Sequence, residues 1–176
     1  MIYNGKFKVT SPFGSRVLNG QPGDHKGIDV VGLGDKHVCA VVSGTVAAST
    51  MILDKSDRTW EWGNYVRVDG VDGRRYYYCH LSKRLVKAGQ QVKVGDHLGI
   101  EGNTGYSFGS HCHFEVRENG VSINPAPFLG IPNKAGTYGT DWRAEVQKKF
   151  GLSKDTMTYL DKYKYAADLY MKLGKA

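Results

Sequence analysis

The frequent glycines that interrupt the sequence are the feature that most constrains the fold of this chain. The sequence holds 23 glycines in 176 residues, and through about residue 128 they separate short runs rich in β-branched and aromatic residues. Runs this short and this often interrupted by turns favour strands over helices, and the Asp72-Gly73 dipeptide between two of them is typical of a hairpin turn. The pattern predicts a β-rich domain, mainly an antiparallel sheet, rather than alternating β and α units. The clearest runs are 38–48, 65–69, 74–82 and 113–117.

The apolar spacing changes to that of helices after residue 140. Trp142, Val146 and Phe150 share one helical face before Gly151, and Ser153 is placed to cap a second helix. A third short helix is predicted at 166–173. We therefore predict a domain at 1–132, a linker at 133–139 and a small α-helical C-terminal extension at 140–176. The extension is predicted either to bind a partner or to pack against the domain.

The net charge of +7 at pH 7 indicates an anionic partner. No recognised nucleic-acid motif accompanies the charge, so we expect no nucleic-acid partner. No apolar run approaches the ~18 residues of a membrane span, and the polar start lacks the apolar core of a signal peptide. We expect synthesis in the cytoplasm and no membrane insertion; the oligomeric state stays open. Lysines concentrated in the extension either bind the anionic partner or are ordinary solvated charges: Lys148, Lys149, Lys162, Lys164, Lys172 and Lys175.

Three short segments, 24–29, 78–82 and 110–115, concentrate histidines and carboxylates. His111 and His113 are two apart, so on a strand they share a face about 6.6 Å apart. His25 and Asp29 would lie ~13 Å apart on a straight strand, and Gly27 between them permits a bend. Two imidazoles with one carboxylate form a catalytic zinc pattern that leaves a fourth position open for water.

The three segments contain more imidazoles than such a zinc site requires. Two histidines are left for proton transfer and for stabilising charge on a substrate carbonyl. The chain has no His-Glu-x-x-His motif, so no helix-borne glutamate base is available and the base is expected to be a histidine.

Several motifs, in the same order, resemble those of the lysostaphin-like (LytM-type) zinc endopeptidases that cut peptidoglycan peptides. The resemblance covers about residues 10–128. Its core consists of His25-x-x-x-Asp29, Tyr78-x-His80-Leu-Ser82 and His111-x-His113-Phe-Glu115. The flanking matches are Ser11-x-Phe13-Gly14-x-Arg16, Gly63-Asn64-Tyr65-Val66, 92–99 and 102–109.

The resemblance implies a fold, a cofactor and a reaction. The fold is the lysostaphin-like duplicated hybrid motif with a long substrate groove. One Zn²⁺ is held by His25, Asp29 and His113, while His80 and His111 are the two catalytic imidazoles. A zinc-activated water hydrolyses peptide cross-links of bacterial peptidoglycan, an anionic cell wall. This wall is then the partner that the C-terminal extension and its lysines are expected to bind, if the extension does not serve only for packing. We favour His80 as the base.

The resemblance also bears on the surroundings of the site. Glu115, on the strand face of His113, either orients an imidazole or is simply solvated or salt-bridged. Cys112 stands where the family commonly has leucine, and Cys79 precedes His80; both are expected to face away from the zinc as small core side chains. The absence of a signal peptide suggests release to the wall during phage lysis, a virion-associated lysin, or a domain of a larger exported protein.

Two other functions compete with the peptidase. The first is a non-catalytic module of the same fold that binds the wall or activates another hydrolase, although such a protein has no need of all five site residues. The second is a serine hydrolase, because residues 105–109 read Gly-Tyr-Ser-Phe-Gly, but no histidine follows His113 to complete that triad. We expect this loop to form the edge of a groove. Four aromatic residues either line a cleft or pack within the sheet: Trp60, Trp62, Tyr76 and Tyr77.

Overall fold

A computed structural model describes residues 1–18, 20–162 and 166–176 of the chain. Lys164, one of the lysines of the extension, lies outside the described residues. The described strands are β1 (Phe7–Ser11), β2 (Gly14–Leu18), β3 (Gln21–His25), β4 (Ile28–Gly32), β5 (His37–Cys39), β6 (Gly44–Met51), β7 (Asn64–Gly70), β8 (Arg75–Leu81), β9 (Lys83–Arg84), β10 (Gln91–Val92), β11 (His97–Ile100), β12 (Cys112–Glu118), β13 (Val121–Ile123) and β14 (Gly136–Tyr138). The α-helices are α1 (Trp142–Phe150), α2 (Lys154–Asp161) and α3 (Ala166–Lys175), and 3-10 turns span Arg58–Trp62 and Ala126–Leu129.

The described strands form one large sheet and two small ones, and all their pairings are antiparallel. The large sheet has the order β10-β6-β7-β8-β12-β4-β1-β14, with β13 also pairing with β12. A smaller sheet has the order β5-β11-β9, and β2 pairs with β3 as a hairpin. This arrangement confirms the predicted antiparallel, β-rich fold and the hairpin at Asp72-Gly73, which joins β7 to β8. The run 38–48, predicted as one strand, is instead divided between β5 and β6.

The main core lies on one face of the large sheet. On β12, Cys112, Phe114 and Val116 belong to this core, so alternation along the strand turns His113 and Glu115 to the opposite face. Burial of a side chain such as Phe114 contributes about 1.5–3 kcal/mol to folding. The main core thus occupies one face of the sheet, and the other face carries a smaller packed cluster beside the polar site.

The helical extension has a small core of its own. Asp141 caps α1 through a hydrogen bond from the Ala144 amide, and Gly151 ends the helix in the left-handed conformation. The core consists mainly of Val146, Met157 and Tyr170, with partly buried neighbours around them. Phe150, placed on the same face by its spacing, is exposed. The predicted helices are therefore present, and none of the described helices is long and apolar enough to cross a membrane.

The segment predicted as a linker takes part in the sheet. Within residues 133–139, β14 pairs with β1 through Phe7 opposite Tyr138 and Val9 opposite Gly136. Residues 136–138 of the predicted linker therefore form a strand, which covers the edge that β1 would otherwise expose. Lys6 also forms an ion pair of 3.0 Å with Asp141 at the start of α1. The division into a domain and an extension stays a prediction.

Candidate metal centre and groove

Three neighbouring strands carry most of the predicted site. β12 lies between β8 and β4, and its register places His113 opposite Asp29 on one side and Cys79 on the other. Ile28 and Val30, which flank Asp29, belong to the main core. Asp29 therefore faces the same side of the sheet as His113, and strand pairing alone brings the two side chains together.

His25 reaches the same point from the β2–β3 hairpin. It ends β3, and the chain bends through Lys26 and Gly27 before β4 begins, as the spacing of His25 and Asp29 required. His25 Nε2 lies 3.0 Å from His113 Nδ1 and 3.1 Å from Asp29 Oδ1. His113 Nδ1 lies 2.8 Å from the same Asp29 oxygen.

These three donor atoms suit a single zinc ion. Two ligands about 2.0–2.1 Å from a tetrahedral zinc lie roughly 3.3 Å apart, close to the three separations found among His25, Asp29 and His113. Two imidazole nitrogens with one carboxylate oxygen also match the ligand chemistry of catalytic zinc. Among the described residues, these three form the group whose ligand atoms are near enough to share an ion.

Gly27 does more than permit the bend. A Cβ at this position would lie 2.6 Å from the Phe114 carbonyl oxygen and 2.7–2.8 Å from ring atoms of His113. Any side chain here would collide with the imidazole proposed to bind the metal. Gly27 therefore provides the space into which the His113 ring fits.

His80 enters the site through a β-bulge. Asn64 pairs with Leu81 and Val66 pairs with Tyr78, so two residues of β8 oppose one residue of β7. His80 has a φ of 62°, which is rare for a residue with a side chain and typical of such a distortion. Tyr78 and Leu81 both point into the core, whereas His80 lines the groove beside the metal ligands.

The two imidazoles at the metal position are oriented by hydrogen bonds on their other nitrogens. His25 Nδ1 lies 2.8 Å from the Pro12 carbonyl oxygen, which can only accept a hydrogen bond, so Nδ1 carries the proton. His113 Nε2 lies 3.1 Å from Glu115 Oε1 and is the protonated nitrogen by the same reasoning. His25 Nε2 and His113 Nδ1 are thereby left to donate lone pairs toward the metal position.

The two remaining imidazoles are oriented in the same way. His80 Nδ1 donates to the Thr104 carbonyl oxygen at 2.8 Å, and His111 Nδ1 donates to the Gly109 carbonyl oxygen at 2.8 Å. Their Nε2 atoms are available for a substrate. The two rings lie close together, with centroids 4.8 Å apart, and His111 Nε2 lies 3.5 Å from Asp29 Oδ1.

Burial and local charge set the protonation of the site. Burial and the neighbouring imidazoles of His113 and His111 lower the pKa of His80 to about 4, so His80 is neutral at pH 7. Burial opposes ionisation of Asp29, but the adjacent imidazoles of His113 and His25 hold the pKa of its carboxyl well below the usual range. Burial also disfavours charge on His113, yet Asp29 and Glu115 raise its pKa to about 9. Metal binding at His113 therefore competes with a proton.

Glu115 is itself held in place by Arg117, a residue that the sequence analysis did not single out. Arg117 donates to Glu115 Oε2 from Nε at 2.8 Å and lies 2.7 Å from it through Nη2. Its guanidinium also lies over the rings of Trp62 and Tyr77, 5.2 and 4.8 Å from their centroids. The sequence could have indicated Arg117, because His113, Glu115 and Arg117 are each two residues apart and so share one face of the strand.

Arg16 and Ser11 support the metal ligands from the opposite side. Arg16 Nη1 lies 3.3 Å from Asp29 Oδ2 and 3.0 Å from Ser11 Oγ. Ser11 Oγ in turn lies 3.3 Å from His25 Nδ1. Both residues belong to the flanking motif at 11–16, whose sequence gave no indication of these contacts.

The histidine cluster, defined as His25, Asp29, His80, His111 and His113, lies at a groove. The groove has a volume of about 590 Å³ and is open to solvent. One rim is the 105–110 loop, where Tyr106 and Phe108 are exposed, as expected for a loop at the edge of a groove. The groove is lined by Thr10, Ser11, Arg16, Val17, Asp29, Val31, Glu61, Trp62, His80, Tyr106, Ser107, Phe108, Gly109, Ser110, His111 and His113.

Of the four aromatic residues predicted either to line a cleft or to pack within the sheet, some do each. Tyr76 and Tyr77 are buried in the sheet, so the packing interpretation holds for both. Trp62 lines the groove while also packing against Tyr77. Trp60 lies edge-on to Tyr106 of the loop, with ring centroids 6.1 Å apart. The groove interpretation therefore applies to Trp62, and Trp60 supports the rim.

Ser107 and the two cysteines near the histidines do not provide a nucleophile. Ser107 Oγ lies 3.4 Å from His111 Nδ1, but that nitrogen already donates to Gly109 and cannot accept the serine proton. Cys79 and Cys112 are fully buried, and burial raises the pKa of both thiols. Both cysteines are small buried side chains, as the sequence predicted, but only Cys112 faces away from the site, in the main core. The prediction is wrong for Cys79, which pairs with His113 and packs with Tyr65 and Tyr77 on the site's side of the sheet.

Comparison with known proteins identifies relatives of this arrangement. The profile of Peptidase family M23 matches residues 23–125, a range that includes the whole histidine cluster. The peptidoglycan DD-endopeptidase ShyC of Vibrio cholerae is 36% identical over 121 residues, covering 67% of this chain and 26% of that protein. The murein hydrolase activator NlpD of Escherichia coli is 31% identical over 122 residues, covering 69% and 29%.

A solved structure shows the same fold. The catalytic domain of the antimicrobial peptidase lysostaphin from Staphylococcus simulans matches with a TM-score of 0.59 and 33% identity, covering 72% of this chain and 93% of that domain. The chain spans about a quarter of the length of the two curated relatives. The similarity therefore applies to a domain rather than to those whole proteins.

Proposed function

The chain belongs to peptidase family M23, and from this premise we propose that it is a zinc endopeptidase that hydrolyses peptide cross-links of bacterial peptidoglycan. One observation carries the proposal. Four imidazoles each donate one N–H to a fixed acceptor. The other nitrogens of His25 and His113 lie with one Asp29 oxygen within reach of a single ion, and His80 and His111 line the groove beside them. A module that only binds cell walls has no need of this arrangement.

The metal ligands in this proposal are His25 Nε2, Asp29 Oδ1 and His113 Nδ1. When bound, zinc polarises a carbonyl and lowers the pKa of a bound water to about 7. Three protein ligands leave a further coordination position for water or substrate. Glu115 and Arg16 hold His113 and Asp29 in orientation, as hydrogen-bond partners of metal ligands commonly do.

His80 is the proposed general base. It is neutral at pH 7, and its Nδ1 proton is committed to Thr104, so Nε2 has a lone pair for the proton of the attacking water. The water oxygen then bonds to the scissile carbonyl carbon. When the C–N bond breaks, the same proton passes from His80 to the leaving amine, which balances the reaction.

His111 is proposed to stabilise the oxyanion. In this role its Nε2 faces the carbonyl oxygen and donates a hydrogen bond to it as negative charge develops there. Asp29 Oδ1 lies 3.5 Å from the same nitrogen, which places the His111 ring beside the proposed metal ligands. We assign the base to His80 because its side chain is buried, and the oxyanion role to His111 because its side chain is more exposed.

The proposed substrate follows from the relatives and from the charge of the chain. One relative is described as a peptidoglycan DD-endopeptidase and another as a murein hydrolase activator. A net charge of +7 favours binding to an anionic wall through long-range attraction. We still predict that the protein reaches that wall either by release during phage lysis or as a domain of a larger exported protein.

The decisive experiment combines metal analysis with digestion of purified cell walls. We expect one zinc per chain and new amine and carboxylate ends in the released muropeptides, identified by mass spectrometry. His113→Ala should lose both, whereas His37→Ala, which removes a histidine outside the groove, should retain both. A folded protein that binds walls without zinc or product would instead support the activator function.

A further inference from the structure

Glu101 is a buried carboxylate with four hydrogen-bond donors. Its side chain has no solvent exposure. Oε2 accepts hydrogen bonds from the Tyr3 hydroxyl and the Gly32 amide, both at 2.8 Å. Oε1 accepts from Lys36 Nζ and from Ser110 Oγ, also both at 2.8 Å. A buried charge is costly unless it is paired and hydrogen-bonded, and here both oxygens are satisfied.

Ser110 connects this carboxylate to the proposed catalytic histidine. Ser110 immediately precedes His111 and ends the exposed 105–110 loop. The His111 amide donates to the Gly102 carbonyl oxygen at 2.9 Å, so the Ser110–His111 pair is fixed to two consecutive residues, Glu101 and Gly102. Without the Ser110 contact, this pair would keep the His111 amide bond to Gly102 but lose its side-chain anchor to Glu101.

The same short segment also holds the strand end that carries His80. Ser82 Oγ donates to the Glu101 carbonyl oxygen at 2.9 Å. A Cβ on Gly102 would overlap the Ser82 amide, so the two backbones are in close contact. Thr104 accepts the hydrogen bond from His80 Nδ1. Residues 101–104 thus lie between the His80 segment and the His111 segment and contact both.

We propose that Glu101 is a positioning residue that acts through Ser110 to fix His111 against His80 and Asp29. This inference rests on the proposed function, because it assumes that His111 acts on the substrate. Glu101 does not reach the groove itself; Ser110 transmits its effect. Displacement of a catalytic group by about 1 Å can reduce the rate a hundredfold, so an anchored position for His111 has catalytic value.

Two variants separate this role from a purely structural one. Ser110→Ala removes the link to His111 and leaves the other three donors to Glu101. Tyr3→Phe removes one donor to the same carboxylate on the side away from the groove. Both proteins are compared with the parent, loaded with zinc, for kcat and KM on a defined muropeptide, for Tm and for zinc content. Ser110→Thr, which retains a hydroxyl, is the rescue variant.

We expect Ser110→Ala to lower kcat roughly tenfold, within the range for small displacements of catalytic groups. Its KM, Tm and zinc content should stay near those of the parent, and Ser110→Thr should recover most of the rate. Tyr3→Phe should lower Tm and leave kcat unchanged. An unchanged kcat in Ser110→Ala, or an equal loss in Tyr3→Phe, would overturn the proposal.

A measurement independent of turnover distinguishes failure of this inference from failure of the proposed function. The ring ¹⁵N shifts of His111 in the zinc-loaded protein report the hydrogen bonding and environment of its imidazole. They should change in Ser110→Ala and stay constant in Tyr3→Phe. If the parent does not hydrolyse muropeptides, these shifts still decide whether Glu101 positions His111, and identical spectra in Ser110→Ala refute it.

Discussion

Glu115 Oε1 accepts a hydrogen bond from His113 Nε2 at 3.1 Å, and this contact determines which nitrogen of His113 faces the metal position. His113 Nδ1 is left as the donor toward the metal, 2.8 Å from Asp29 Oδ1. Arg117 holds the other oxygen of Glu115. A chain of contacts therefore runs from the groove aromatic Trp62 through Arg117 and Glu115 to a proposed zinc ligand.

Replacing Glu115 should weaken metal binding. In Glu115→Gln the side-chain amide can present an N–H to His113 Nε2, which removes the preference for the ligating tautomer. We expect zinc affinity to fall by about 10–100-fold, the usual cost of losing such a partner. Competition with a chromophoric chelator measures the affinity. Glu118→Gln, at the exposed end of the same strand, is the control and should bind zinc like the parent.

A methyl group at position 27 should disturb the site without replacing any proposed ligand. Because the Cβ of Gly27→Ala would lie 2.7 Å from the His113 ring, the imidazole must move. We expect kcat/KM to fall by roughly a hundredfold, as for other displacements near 1 Å. Gly23→Ala, on the preceding strand with open space around its Cβ, should retain parental activity. Equal activity of the two variants would contradict the close contact at Gly27.

The charge of Glu101 should make stability depend on pH. Burial alone would raise the pKa of Glu101, but hydrogen bonds from Lys36, Gly32, Tyr3 and Ser110 hold it below the usual value. A carboxylate with a depressed pKa in the folded state stabilises that state above the unfolded pKa of about 4.3, and the contribution is lost as pH falls through the folded pKa.

Glu101→Gln tests this dependence. We expect it to lower the free energy of unfolding by about 1–3 kcal/mol at pH 7, with the difference from the parent shrinking below pH 4. Urea unfolding across this pH range, with both proteins at the same zinc concentration, measures it. Because zinc loss at low pH affects both proteins, only their difference is interpreted; a difference independent of pH would argue against the charge.

The helical extension should contribute to wall binding through charge. A chain ending at Gly139 keeps β14, and therefore the edge pairing of β1, while removing the helices. We expect it to sediment less with purified walls, and the parent to lose binding as salt screens the attraction. Lys148→Gln with Lys149→Gln in the full chain should show part of the same loss. Undiminished sedimentation of the shortened chain would leave the extension only a packing role.

Several features of the site could be predicted from short-range sequence patterns. The two-residue spacing of His111 and His113 indicated a shared direction, and the spacing of His25 and Asp29 indicated a bend. The glycines that separate short β-prone runs predicted the antiparallel strands. These inferences depend on the geometry of a few consecutive residues, which is nearly the same in any strand or turn.

The direction of His80 could not be predicted in this way. Along a regular strand it would lie on the core side with Tyr78, but the bulge opposite Tyr65 turns it into the groove. The bulge depends on how β8 pairs with β7. Pairing between strands is a tertiary property, because it depends on the competition among all the segments that could form neighbours.

The sequence by itself determined that the chain forms an antiparallel β-rich domain with a helical extension, and that three segments contribute imidazoles and a carboxylate. Only the tertiary structure decided how these groups are oriented. Contacts between residues distant in the chain, such as Glu101 with Ser110 and Trp62 with Arg117, fix the rings that surround the groove. Local periodicity gives the direction of a side chain, whereas its partners depend on which strands and loops the fold brings together.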